Sequence, residues 1–330
     1  MRTAPLGRGG VRATRLALGC AALGNLYRPV DDETAAATVD AAWDAGIRTF
    51  DTAPHYGLGL SERRLGAALR GRPRDTYTVS TKVGRLLVPY DGGGAGDDLA
   101  HGFAVPATHR RVWDFSGDGV RRSLEASLER LGLDRVDVVL LHDPDDHAEQ
   151  ALREGYPALE RLRGEGVVGA IGVGMNQCAL PARFLRETDI DVVLLAGRYT
   201  LLEQEGLADL LPEAAARGRN VVIGGVFNSG LLTDPGPGAT YDYAPAPQAV
   251  LDRALRLKAV AERHGVALRS AALHFPFGHP AVASVLTGAR SPEEVRDSVA
   301  QLRRPVPDAF WHELRAEGLL DPHAPVPSVR

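Results

Sequence analysis

A chain of 330 residues, 44% apolar and 24% charged, can bury one large core or two smaller ones and lies outside the disordered class. Its formal charge of −4 offers no basic footprint for nucleic acid and no polybasic patch for a membrane surface. Cys20 and Cys178 are too few for a disulfide framework, so a reducing, cytoplasmic setting is expected, and no apolar run reaches the roughly 20 residues of a transmembrane helix.

Arg2, Arg8, Arg12 and Arg15 flank a short apolar stretch at 16–23 that Gly19 breaks, which predicts a buried strand and turn, not a signal peptide. Strand 14–19 is followed by a helix at 31–45 with an acidic N-terminal region, then by strand 48–51 and a helix at 61–69 opened by Ser61. Strand 77–82 precedes a long interruption and a helix at 116–131. Residues 136–142, VDVVLLH, are almost wholly apolar, as in a strand covered on both faces. Helix 156–165, strand 170–174, helix 177–187, strand 191–196, helix 207–217 and strand 220–225 continue the alternation. A long helical region at 248–275, strand 283–287 and helix 291–301 complete it.

Eight strand–helix units predict an α/β fold: a single (β/α)8 TIM barrel over residues 1–330, with no linker dividing it. A doubly wound open sheet is the alternative, but no G-x-G-x-x-G follows the first strand. Two connections exceed ordinary turns. Residues 84–115 hold Tyr90, Gly92, Gly93, Gly94, Gly96, Trp113 and Phe115; residues 228–247 are rich in Gly and Pro and carry Tyr241 and Tyr243. Both are expected as long loops on the active-site face. Residues 303–307 and the tail from about 321, with Pro322, Pro325 and Pro327, are expected to be irregular.

Chemistry concentrates at three consecutive strand ends. Asp51 ends the second strand, with Tyr56 just beyond; Lys82 ends the third and His142 the fourth. Strand ends converge on one mouth of a barrel, where catalytic groups sit. A phenol of pKa about 10 needs help to act as an acid-base near neutrality. Lys82 supplies a nearby positive charge to Tyr56, Asp51 compensates Lys82, and His142 can donate to a reacting oxygen. The hydride must come from a cofactor. His55, His101 and His147 lack that support. The run Asp143, Asp145, Asp146 and His147 is read as a solvated acidic loop, with no metal expected. Tyr27 and Trp113 either line a substrate pocket or pack the long loop.

In this order, Phe50-Asp51-Thr52-Ala53…Tyr56-Gly57, Lys82 and Leu140-Leu141-His142 resemble the tetrad of the aldo-keto reductase superfamily, and the match runs from Leu16 to about Leu302. The resemblance implies an NAD(P)(H)-dependent barrel without metal, with Tyr56 as proton donor or acceptor. It implies further that Met175 and Asn176 lie near the nicotinamide carboxamide and that Tyr199 stacks on the ring. Gly225, Phe227, Asn228, Gly230 and Leu232 would belong to a loop crossing the pyrophosphate, and Gly288, Arg290, Glu294 and Asp297 to the adenosine end. His55, Tyr27 and Trp113 are the candidates for contacts with a sugar or carbonyl substrate. The chain departs from the family pattern at Ala196-Gly197-Arg198, where a Gln is usual, at Asp297-Ser298, where Glu-Asn is usual, and at Glu294, a place often held by Arg or Gln.

Arg290 and the start of the following helix could hold the extra phosphate of NADP, whereas Glu294 opposes it unless it swings into water; the balance leans to NADP over NAD. His142-Asp143-Pro144-Asp145, residues 196–202 and Phe227-Asn228-Ser229-Gly230 are similar to the L-fucose and D-threo-aldose 1-dehydrogenase branch, with pyridoxal dehydrogenases nearby. That implies an aldose 1-dehydrogenase. The alternatives are a general aldehyde or ketone reductase, an aldolase-type barrel with Lys82 as Schiff-base nucleophile, and a non-enzymatic cofactor-binding regulatory subunit.

Overall fold

Eight parallel strands close on themselves: β1 (Leu16–Gly19), β2 (Thr49–Asp51), β3 (Thr78–Val83), β4 (Val138–His142), β5 (Ala170–Met175), β6 (Val192–Ala196), β7 (Asn220–Gly224) and β8 (Val282–Gly288), with β8 pairing back onto β1. This computed structural model describes residues 1–90, 96–242 and 244–327. The helices are α1 (Asp32–Asp44), α2 (Leu60–Leu69), α3 (Gly117–Leu131), α4 (Tyr156–Gly164), α5 (Ala179–Glu187), α6 (Leu210–Ala216), α7 (Gln248–Arg263), α8 (Leu268–His274), α9 (Pro292–Arg303) and α10 (Asp308–Ala316). The (β/α)8 barrel expected from the alternation is present.

Apolar runs make these strands because a barrel strand is covered on both sides. All residues of β3, β4 and β5 are buried. Alternate side chains separate two cores. Val139, Leu141, Ile171, Val173, Val193 and Leu195 pack toward the helices, while Val138, Leu140, Ala170, Val192, Leu194 and Val222 fill the barrel interior. Leu6 and Ala13 join the interior cluster from an N-terminal hairpin, Thr3–Pro5 against Arg12–Thr14, which plugs the floor. Asp31 caps α1 by accepting the Thr34 N–H at 2.7 Å, and Ser116 caps α3 through Gly119 at 3.0 Å. Ser61 does not cap α2. Its hydroxyl donates to the Cys20 carbonyl at 2.7 Å and lies 2.8 Å from that of Thr52, tying α2 to the ends of β1 and β2.

Three expectations change. Residues 84–115 are not a structureless loop: Arg85–Pro89 pairs antiparallel with His109–Trp113, and Asp97–Asp98 with Phe103–Pro106. The helical region at 248–275 is two helices, α7 and α8, parted at Gly265, whose φ of 64° no helix residue adopts. Residues 308–316 form an unanticipated helix whose Phe310 and Trp311 are fully buried. Beyond α10 no regular element follows among the described residues. Gly92, Gly93, Gly94 and Tyr243 lie outside the described residues. No helix among the described residues is long and apolar enough to cross a membrane.

Candidate active site

Asp51 lies beside Ser80 in register, Lys82 beside Leu140 and His142 beside Gly174. Leu140 points into the barrel, so period-two alternation turns Lys82 and His142 inward with it. Lys82 is 2% exposed, and its three N–H donors are all engaged: Asp51 Oδ1 at 2.6 Å, the Thr52 carbonyl at 3.0 Å and Tyr56 Oη at 3.1 Å. The other Asp51 oxygen accepts from the Ser80 hydroxyl. Burial alone would lower the Lys82 pKa, but Asp51 and Tyr56 outweigh it and the net shift is upward, so an ammonium stands beside the phenol.

The His142 ring meets the Tyr56 ring edge-on, centroids 5.9 Å apart. Burial, reinforced by the cations Arg85 and Lys82, lowers the His142 pKa well below its ordinary value. It is a neutral imidazole with one N–H to give. Its Nδ1 is buried with no partner among the described residues.

Tyr56 is carried by the turn after β2, and that turn depends on two bare backbones touching. A Cβ on Gly24 would fall 2.6 Å from the Tyr56 carbonyl carbon, and one on Gly57 would fall 2.2 Å from the Gly24 oxygen. Gly57 also has φ +61°. Gly57→Ala is expected to displace the phenol by about 1 Å and lower kcat by roughly 10²-fold, with nucleotide affinity retained; steady-state kinetics beside nucleotide titration check it, and unchanged kcat would refute this role of the contact.

A cavity of about 570 Å³ opens over these groups, walled by Tyr56, Lys82, His142, His55, Arg85 and Phe103 among others. Beside it runs a groove of about 240 Å³ past Gly197, Gly225, Phe227, Asn228, Gly230 and Gly288. Leu26, Tyr27, Asn176 and Ala196 line both, so groove and cavity meet. A Cβ on Gly197 would meet nothing within 4 Å and one on Gly288 only the Gly19 oxygen at 3.9 Å, so bare backbone faces open space there. Asn228 is buried, with Nδ2 donating to the Gly197 carbonyl at 3.3 Å and Oδ1 without a partner among the described residues. An extended, open groove with a buried spare acceptor, ending at a Lys–Tyr–His cluster, fits a dinucleotide.

Several positions depart from expectation. Tyr199 is fully buried, 5.0 Å from Phe275 and 6.1 Å from His279 between ring centroids, and lines neither the groove nor the cavity; it has no free face to stack on a nicotinamide. The left-handed Gly197, φ 74°, lies between β6 and this residue. Leu232 is a core residue beneath the 225–232 turn, not part of its surface. Met175 borders the cavity but is 1% exposed and packs in the helix-side core. Asp297 pairs with Arg269 of α8 at 3.0 Å and accepts from Gln301 at 3.0 Å. Trp113 is 41% exposed and stacks on Phe115 and under the Arg85 guanidinium, outside the cavity lining. Tyr27 and His55 do line it. Asp143 pairs with Arg85, Asp145 accepts from Gln177, and no group of three or more His, Cys, Asp or Glu suited to a metal occurs among the described residues. Sequence reasoning missed Arg85 and Phe103, which line the cavity, come from the two hairpins and sit on no barrel strand.

The sequence from residue 15 to 317 matches the aldo/keto reductase family. The chain belongs to that family. It is therefore an NAD(P)-dependent oxidoreductase. It is 45% identical to a D-threo-aldose 1-dehydrogenase of Pseudomonas sp, covering 95% of this chain and 96% of the relative. It is 42% identical to the pyridoxal 4-dehydrogenase of Microbacterium luteolum, covering 96% and 97%. The holo form of an aldo-keto reductase from Bacillus halodurans has the same fold, with a TM-score of 0.77 at 25% identity over 99% of this chain and 98% of that one.

Proposed function

We propose that this aldo/keto reductase oxidises the C1 hydroxyl of an aldose, in its ring form, to the lactone. The observation that carries the chemistry is the Lys82 ammonium 3.1 Å from the Tyr56 oxygen. The Gly197–Gly288 groove would hold the nicotinamide cofactor, which would accept the hydride leaving C1. Tyr56, with its phenolate stabilised by Lys82, takes the C1 hydroxyl proton as the C1–O bond gains double-bond character. His142 donates its N–H to the same oxygen and steadies the charge that develops on it. A wall of His55, His101, Arg85 and Asp143 around the cavity suits a substrate rich in hydroxyls. The aldose dehydrogenase relative supports that substrate class, and the pyridoxal dehydrogenase relative supports the second reading, oxidation of pyridoxal. Initial rates with a panel of aldoses, pyridoxal and simple alcohols, each with NAD+ and NADP+, decide it. Turnover of pyridoxal but of no aldose would overturn the first reading.

For the cofactor, the lean to NADP assumed a mobile Glu294. Instead its carboxylate accepts the Arg290 N–H at 2.8 Å, while the Arg290 guanidinium leans over Tyr27 at 5.7 Å from the ring centre and reaches the Leu26 carbonyl at 3.4 Å. A carboxylate held at the start of α9 opposes a 2′-phosphate and can accept from a 2′-hydroxyl, which supports NAD as the better ligand. Glu294→Gln is expected to tighten NADP(H) roughly fivefold, about 1 kcal/mol for an exposed charge contact, and to leave NAD(H) nearly unchanged. Titrations with both cofactors check this; equal changes for the two would show that Glu294 does not read the phosphate.

A further inference from the structure

The reaction described above leaves one polar cluster without an individual role: His55 and His101 on the cavity wall, with Arg111 and Asp98 bonded to them. Arg111 lies on the outer hairpin strand, His109–Trp113, and Asp98 on the second hairpin. Both side chains are buried, at 7% and 4% exposure, and pair through two guanidinium nitrogens, one of them 2.7 Å from Asp98 Oδ1. His101 Nδ1 shares that oxygen at 2.9 Å. Two further Arg111 donors point at one residue. Nε lies 2.5 Å from His55 Nδ1, and a terminal nitrogen lies 3.1 Å from the His55 carbonyl.

A guanidinium has only donors and keeps its charge. The His55 nitrogen facing it must therefore be an acceptor, which places the ring proton on Nε2 and excludes the imidazolium. Nε2 has no protein partner among the described residues, and the ring lines the cavity. It stands edge-on to His142 at 5.7 Å and to Phe103 at 5.1 Å, and its centroid is 6.1 Å from that of Tyr56.

We infer that the buried Arg111–Asp98 pair locks His55 as an Nε2–H donor aimed at a substrate hydroxyl one or two carbons from the reacting carbon. His55 is then a specificity residue and Arg111 a positioning residue. The inference rests on the aldose reading for the identity of the acceptor, but the tautomer itself follows from the protein alone. Electrostatics agree: burial, then the cations Arg85 and Arg111, then His101 and Lys82, push the His55 pKa down to about 2. The donor is thus invariant across the working pH range. A substrate lacking the matching hydroxyl would leave a desolvated N–H without an acceptor, which is what makes such sites selective.

Two measurements test this. Nitrogen-15 NMR of the imidazoles in the full-length protein should show His55 as the Nε2–H tautomer, with no protonation between pH 8 and 5. In Arg111→Met, with no donor left to hold Nδ1 as an acceptor, the same ring should populate both tautomers. A wild-type His55 that is protonated at pH 7, or carries its proton on Nδ1, overturns the inference whatever the substrate is. The second measurement compares kcat/KM for an aldose with its 2-deoxy and 3-deoxy analogues. One of the two should lose about 10–100-fold, and that ratio should collapse toward one in His55→Phe. If aldoses are oxidised with the ratio unchanged by His55→Phe, the hydroxyl contact is wrong while the function stands. If no aldose is oxidised, the function fails and the NMR result decides the tautomer alone.

Discussion

Replacing Tyr56 by Phe is expected to lower turnover by at least ~10²–10⁴-fold, the range for loss of a general acid-base, while nucleotide affinity stays within about twofold of wild type. The ring keeps its packing against Phe103 and His142, with centroids at 6.0 and 5.9 Å, so the loss isolates the hydroxyl. Lys82 would keep its two other acceptors, Asp51 and the Thr52 carbonyl, and the barrel should remain folded. Stopped-flow hydride transfer with saturating substrate, beside fluorescence titration of the nucleotide, measures both quantities. Near-normal turnover would sink the mechanism.

Lys82→Met should have the largest combined effect, because it removes a charge that serves chemistry and fold together. With Lys82 gone, Asp51 is left at 3% exposure, its side chain facing only the Ser80 hydroxyl among the described residues. Stripping one partner from a buried ion pair costs about 3–5 kcal/mol. Lys82→Met is therefore expected to lower the unfolding free energy by that amount, and adding Asp51→Asn should recover part of the stability and none of the turnover. The sign with pH follows. The folded Lys82 pKa is raised, so the pair's contribution is present through neutrality and is lost only as pH rises above the ordinary lysine range. For activity, losing the cation disfavours the phenolate, so the rising limb of the oxidation rate against pH moves to higher pH. Denaturant melts of the single and double variants, with pH–rate profiles of the double variant, separate the two roles. A double variant whose profile matches wild type while its rate falls would mean that Lys82 positions substrate and does not tune Tyr56.

The tetrad was legible because each of its parts obeys a local rule. Asp51, Lys82 and His142 end three successive strand-forming runs, and period-two alternation sends the last two into the lumen with no long-range knowledge needed. Tyr56 was legible from its chain distance to Asp51, although the Gly24–Gly57 contact that sets its height is a meeting of residues 33 apart in sequence. Tyr199 failed for the opposite reason. Its neighbours in sequence were read correctly, but which way a ring turns after a left-handed Gly197 depends on Phe275 and His279, which pack from far along the chain. Glu294 was placed on the correct turn, yet whether its carboxylate swings free or caps a backbone N–H is a question of rotamer and not of pattern.

By itself, then, the sequence determined the barrel and the polar groups gathered at its mouth, since these follow from apolar periodicity and from polar residues fixed at strand ends. The tertiary structure decided what surrounds them. The two hairpins within 84–115 have no strict alternation to announce them, and they alone bring Arg111 onto His55 across 56 positions. The turn before α9 carries Arg290 to the Leu26 carbonyl across 264 positions. Hydrogen bonds of that span are selected by the packing of whole elements against one another, and no local propensity encodes them.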